Sequence, residues 1–182
     1  MRFAILLLLL PCVACSRSKM GSYYVLESQA FEPERPKGPS IGIGPVVLPK
    51  YTDRINVVTS GGPQRMVLTE QNLWAEPLSE AVTRVLAENL SALLATDEVH
   101  VRPWPQGVVQ YSVGVNVLRL TGKLGGKAEV QALWTVSRGD DILVAKRTNL
   151  ERPAGDSYDT YVAALSGMFA ELSKEIAAAI PE

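Results

Sequence analysis

Val108-Val109-Gln110-Tyr111-Ser112-Val113-Gly114-Val115-Asn116-Val117-Leu118-Arg119-Leu120 carries an apolar or aromatic side chain at every odd position from Val109 to Val117. A period of two belongs to a strand with one face buried, and Ser112, Gly114 and Asn116 mark the other face as wetter. Gly125-Gly126 supplies a turn, and residues 127–138 run back with Val130, Ala132, Trp134 and Val136 in alternation. Gly139-Asp140 turns the chain again, and residues 142–150 make a third strand. Three consecutive strands joined by tight turns predict an antiparallel meander with Trp134 on its buried face.

Such a face needs a cover, and the flanking sequence supplies two. Residues 77–95 place Leu78, Val82, Val85, Leu86, Leu90 and Leu93 on one helical stripe, with Pro77 in the first turn, where its missing N–H costs nothing. Downstream, residues 152–155 read as a break, and Asp156 or Ser157 as the cap of a last helix. Its buried stripe is Tyr158, Tyr161, Val162, Leu165, Phe169, Leu172 and Ile176.

Shorter strands precede the meander. Residues 22–27 open the domain, residues 41–48 alternate apolar and small residues, and residues 97–102 follow the first helix. Residues 51–59 and 66–70 form a hairpin about Ser60-Gly61-Gly62-Pro63. Pro33, Pro36 and Pro39 stand at every third position, but the stretch is short and internal and reads as a loop. The expected fold class is α+β: a single domain over residues 22–182, with a mixed, mostly antiparallel sheet and two amphipathic helices packed on one face.

The start of the chain is not part of that domain. Met1-Arg2 brings one positive charge, and residues 3–10 are unbroken apolar. Eight residues of helix rise only about 12 Å against a hydrocarbon core of about 30 Å, so this is a signal-peptide segment rather than a span. Val13-Ala14-Cys15-Ser16 then offers small residues before a cysteine, as the lipoprotein signal peptidase requires. Residues 1–14 are therefore expected to be removed, Cys15 to carry the lipid, and residues 15–21 to act as a tether of roughly 20 Å. With Cys12 cut away and Cys15 acylated, the mature chain has neither a free thiol nor a disulfide. Ser16, being other than Asp, points by analogy with lipoprotein sorting in enteric-type bacteria to the outer membrane, with the domain facing the periplasm.

Composition narrows what the domain does. The net charge is −1 and no basic block occurs, so a nucleic-acid partner is not expected. His100 is the one histidine, so a Ser-His-Asp site would have to use it, and alternation in Val99-His100-Val101 places it opposite its apolar neighbours as a surface residue; the usual zinc ligand set is not supplied. Gly42 and Gly44 lack the third glycine and following helix of a dinucleotide site, and instead mark a close backbone approach or a bulge. Asp140-Asp141 sits in a turn, not across a cleft. No catalytic residue, metal site or cofactor is expected.

Two runs remain. Ile41-Gly42-Ile43-Gly44-Pro45-Val46-Val47-Leu48-Pro49-Lys50-Tyr51-Thr52-Asp53-Arg54 and Leu73-Trp74-Ala75-Glu76-Pro77-Leu78, with the earlier Tyr23-Tyr24-Val25-Leu26, resemble the ABC-type transport auxiliary lipoprotein family over nearly the whole mature chain. The resemblance implies a non-enzymatic subunit that accompanies MCE-domain proteins, an ABC permease and an ATPase in moving lipids between two membranes. It implies docking through protein contacts but supplies no contact residue; within the quoted runs, Tyr51, Asp53, Arg54 and Trp74 are the candidate contact residues. An alternative is a lipid-carrying domain with an apolar pocket between helices and sheet. The sequence leaves open whether copies join as a homo-oligomer.

Overall fold

The computed structural model describes residues 20–29 and 37–181. The signal peptide, Cys15, most of the tether, Pro33 and Pro36 lie outside them. The elements run β1 (Ser22–Tyr24), β2 (Ile41–Val47), β3 (Asn56–Gly62), β4 (Arg65–Trp74), α1 (Leu78–Leu93), β5 (Val99–Val101), β6 (Tyr111–Gly122), β7 (Gly126–Arg138), β8 (Asp141–Gly155) and α2 (Tyr158–Ala177).

The meander is present as read, with β6, β7 and β8 antiparallel. Tyr111, Val113, Val115 and Val117 on β6 and Ala128, Val130, Ala132, Trp134 and Val136 on β7 are buried. Past Val117 the register shifts by one residue, so Leu120 and Gly122 take the inner face instead of Arg119 and Thr121. A one-residue bulge exchanges the two faces of a strand, and the odd-numbered alternation gives no warning of it.

β2 lies parallel to β6 on one side and to β5 on the other, completing a five-stranded sheet in the order β5-β2-β6-β7-β8. The remaining strands form a second sheet, β1-β4-β3, rather than joining the first. The class is α+β, with both sheets mixed. Gly42 lies so close to the Trp104 ring that a Cβ would approach it to 2.7 Å, and Gly44 holds a φ of +129° where the β2 register shifts. Both glycines are thus structural.

The helices share the inner face of the five-stranded sheet. α1 packs on β2 and β5, α2 on β7 and β8, and the two touch each other. Leu78, Val82, Val85, Leu86 and Leu90 are buried, but Leu93 is 42% exposed. It borders an open cleft between the C-terminal ends of α1 and α2, lined also by Leu94, Ala177 and Ile180. Ser157 caps α2, its hydroxyl accepting from the Thr160 N–H while Thr160 Oγ1 accepts from the Ser157 N–H.

The expected break at residues 152–155 is instead the end of β8. β8 is an edge strand, and there Pro153 costs little because it need not donate to a second neighbour. Gly155, at φ +68°, turns the chain into the cap.

Sheet and α2 are joined by a polar relay that runs from the core to the surface. The buried Trp134 indole donates to Thr148 Oγ1 at 2.9 Å, and Thr148 donates to Glu175 Oε2 at 2.7 Å. Lys146 Nζ reaches the same oxygen at 3.0 Å. Burial pushes the Glu175 pKa up, but the hydrogen bonds from Thr148 and Lys146 outweigh it and hold the carboxyl below its ordinary value. A depressed folded-state pKa contributes stability above the unfolded carboxylate value of about 4.3, and that contribution fades as pH falls through the folded value. Glu175→Gln is expected to cost about 1–2 kcal/mol at neutral pH, with the gap to the wild type narrowing below about pH 4. Urea unfolding at the two pH values measures it. Gly42→Ala, pressing a methyl on the Trp104 ring, is expected to cost about 1–3 kcal/mol in the same assay.

Candidate functional site

The loop from Pro49 to Arg54 is tied by its own backbone. Thr52, buried, donates to the Pro49 carbonyl from both its N–H (2.9 Å) and its hydroxyl (2.8 Å), and the Arg54 N–H donates to the Thr52 carbonyl at 2.9 Å. That turn leaves Asp53 and Arg54 pointing to solvent. It also delays the start of β3 to Asn56, so Ile55 stays on the rim, 63% exposed.

On the other side, β4 ends at Trp74 and α1 begins at Leu78. The Trp74 N–H donates to the Ile55 carbonyl at 2.7 Å, and the Ala75 N–H to the Tyr24 carbonyl at 2.9 Å. These bonds draw the two sequence runs together. Asp53, Arg54, Ile55, Trp74, Ala75, Glu76 and Pro77 line one surface notch of about 330 Å³.

The notch carries both charges. Asp53 Oδ1 accepts from Ser79 Oγ at 3.4 Å, beside the N-terminal turn of α1, where a carboxylate is favoured by the helix dipole. Glu76 is engaged by Arg84 at 2.6 Å, and that hydrogen bond pushes the Arg84 pKa up from its ordinary value. Arg84 also donates to the Leu26 carbonyl at 2.8 Å and pairs with Glu88 at 3.2 Å. Glu76 is therefore a fixed wall, whereas Arg54 and Ile55 are exposed.

Of the four expected contact residues, three meet here: Asp53, Arg54 and Trp74. Trp74 is the floor rather than an exposed anchor, being 4% exposed, and its indole Nε1 has no hydrogen-bond partner among the described residues. Tyr51 points elsewhere. Its hydroxyl accepts from the Leu120 N–H at 3.4 Å, and it lines a separate cleft between the β3–β4 hairpin and the β6–β7 end, with Arg119, Lys123 and Lys127. Ile55 falls within the extended stretch 51–59. Its place on the rim follows from the turn just before it, a signal the sequence does carry in Thr52-Asp53-Arg54.

Among the described residues no group of three or more His, Cys, Asp or Glu is placed to hold a metal ion. His100 lies in β5, half-buried. The notch offers a carboxylate, a guanidinium and an aliphatic side chain around an apolar floor. Trp74→Ala is expected to destabilise the fold by about 3–5 kcal/mol, as for other buried aromatics. Arg54→Glu and Ile55→Asp should stay within about 0.5 kcal/mol of the wild type in urea unfolding.

The model of the family described as ABC-type transport auxiliary lipoprotein component matches residues 24–177. Intermembrane transport lipoprotein PqiC of Escherichia coli (strain K12) is 29% identical over 133 residues, covering 72% of this chain and 70% of that protein. The crystal structure of an uncharacterized protein is similar with a TM-score of 0.74 and 26% identity, covering 90% of this chain and 100% of that one. A Xanthomonas campestris protein shares the fold at a TM-score of 0.70 and 12% identity, covering 86% of this chain and 93% of that one. The family match takes in both converging runs and closes on the last residue of α2; this chain belongs to the ABC-type transport auxiliary lipoprotein family.

Proposed function

We propose that this protein is a non-catalytic subunit of an intermembrane lipid transport system, held at the outer membrane through lipid on Cys15 and docking an MCE-domain protein with its ABC permease and ATPase. Family membership and the name of the E. coli relative, an intermembrane transport lipoprotein, support the transport setting. No helix among the described residues is long and apolar enough to cross a membrane; in this reading the attachment is the lipid on Cys15.

One observation carries the docking role. Two runs separated by about twenty residues in the chain meet at one notch, and the side chains exposed there, Asp53, Arg54 and Ile55, contribute nothing to the core. Exposed side chains on a rigid turn suit recognition of a partner. The interface between the helices and the five-stranded sheet is occupied by Trp134, Phe169, Leu165 and Leu86, all buried, so nothing there favours the lipid-carrying alternative.

Affinity purification of the full chain from solubilised membranes is expected to recover an MCE-domain protein and ABC components. Recovery of neither would overturn the proposal. The double variant Arg54→Glu, Ile55→Asp is expected to lower that recovery at least about tenfold, the loss of two good interface contacts, while unfolding as the wild type does.

A further inference from the structure

β1 lies parallel to β4, with Ser22 opposite Asn72 and Tyr24 opposite Trp74. The chain upstream of Ser22 therefore approaches from the direction of the β3–β4 turn. Six residues, 16–21, separate Cys15 from Ser22, and the roughly 20 Å they span limits how far the domain stands from its lipid. From Asn72 back to Arg65, β4 has seven steps, on the order of 20 Å at about 3.3 Å each. The hairpin is thus about as long as the full reach of the tether.

What the protein presents there is apolar. Met20 is 94% exposed, Tyr23 65%, Leu68 46% and Val67 37%. Val67 and Leu68, adjacent on β4, project from opposite faces of the arm, so no single protein surface laid on one side would cover both. β4 pairs with β3 over residues 65–68, while β1 meets it only at residues 72–74. Over the first stretch the outer edge is unpaired among the described residues, and its backbone polar groups would find partners in hydrated headgroups. Tyr suits a membrane–water boundary, with a ring for the apolar side and a hydroxyl for the wet one. Arg65 on the hairpin and Arg17 and Lys19 in the tether add positive charge, against Glu70 on β4.

We propose that the β3–β4 arm, with Met20 and Tyr23, rests edge-on in the headgroup layer of the bilayer that holds the Cys15 lipid, and so sets the orientation of the domain on the membrane. The proposal rests on lipidation of Cys15. It gives the tether a second contact, and together they hold the domain in one pose where an acyl anchor alone would let it tumble.

Depth-dependent quenching tests it. The lipidated full chain, carrying Leu68→Cys, Tyr23→Cys or Ile142→Cys and labelled with an environment-sensitive fluorophore, is reconstituted into phosphatidylethanolamine–phosphatidylglycerol vesicles containing brominated phosphatidylcholine. Ile142, 66% exposed, begins β8 at the end of the sheet away from the arm, since Met66 meets Thr121 near the other end of β6. The expected result is severalfold stronger quenching and a blue-shifted emission at positions 68 and 23 relative to position 142. Equal quenching at positions 68 and 142, or more at 142, overturns the proposed pose while leaving the anchor intact. The anchor is read separately: the unsubstituted chain should float with vesicles and take up no thiol label. Label on Cys15, or failure to float, removes the anchor and the pose together.

Discussion

A sheet covered on one face only is the constraint from which the rest of this structure follows. β6, β7 and β8 present an inner surface of Val, Ala, Tyr and Trp side chains, and α2 closes it. Burial supplies most of the stability, and the hydrogen bonds from Trp134 through Thr148 to Glu175 add a directional link between β7, β8 and α2. With α2 set, α1 packs beside it, and the start of α1 fixes one wall of the surface notch.

The small sheet is a dependent structure. Tyr161 of α2 donates to the Val58 carbonyl at 3.3 Å, Tyr51 receives the Leu120 N–H, and the rings of Tyr24 and Tyr158 lie 6.2 Å apart. Burial pushes the Tyr161 pKa up, so the phenol stays a neutral donor. Three tyrosine contacts thereby seat β1, β3 and β4 at one end of the main sheet. The notch and the exposed hairpin arm both belong to this end, as does the point where the tether enters. The proposed contact with a protein partner and the proposed contact with a bilayer are therefore built on one small platform, which couples their geometry. A domain held in one orientation by its arm would offer Asp53, Arg54 and Ile55 in a constant direction.

The sequence was legible where a single period governs a long element. The alternation in β6 and β7, the two helical stripes and the Ser157 cap needed no partner to be read, since each records which side of its own element is buried. Departures begin where a neighbour decides. The shift after Val117, the continuation of β8 through Pro153 and the exposure of Leu93 depend on what lies across from each residue. The two runs that resemble the family could be read as motifs, but Tyr51 turned away from Asp53 and Arg54, and Trp74 went to the floor.

By itself the sequence determined the class of fold, the meander and the helix faces, because composition and periodicity are local properties of the chain. Only the tertiary structure decided that the strands divide between two sheets, with β1 parallel to β4. Strand partners are chosen by long-range hydrogen bonding and packing, and nothing in a strand's own residues names its neighbour. The direction in which the tether enters, and the side chains brought to one surface by the pairing of Trp74 with Ile55, follow from those choices.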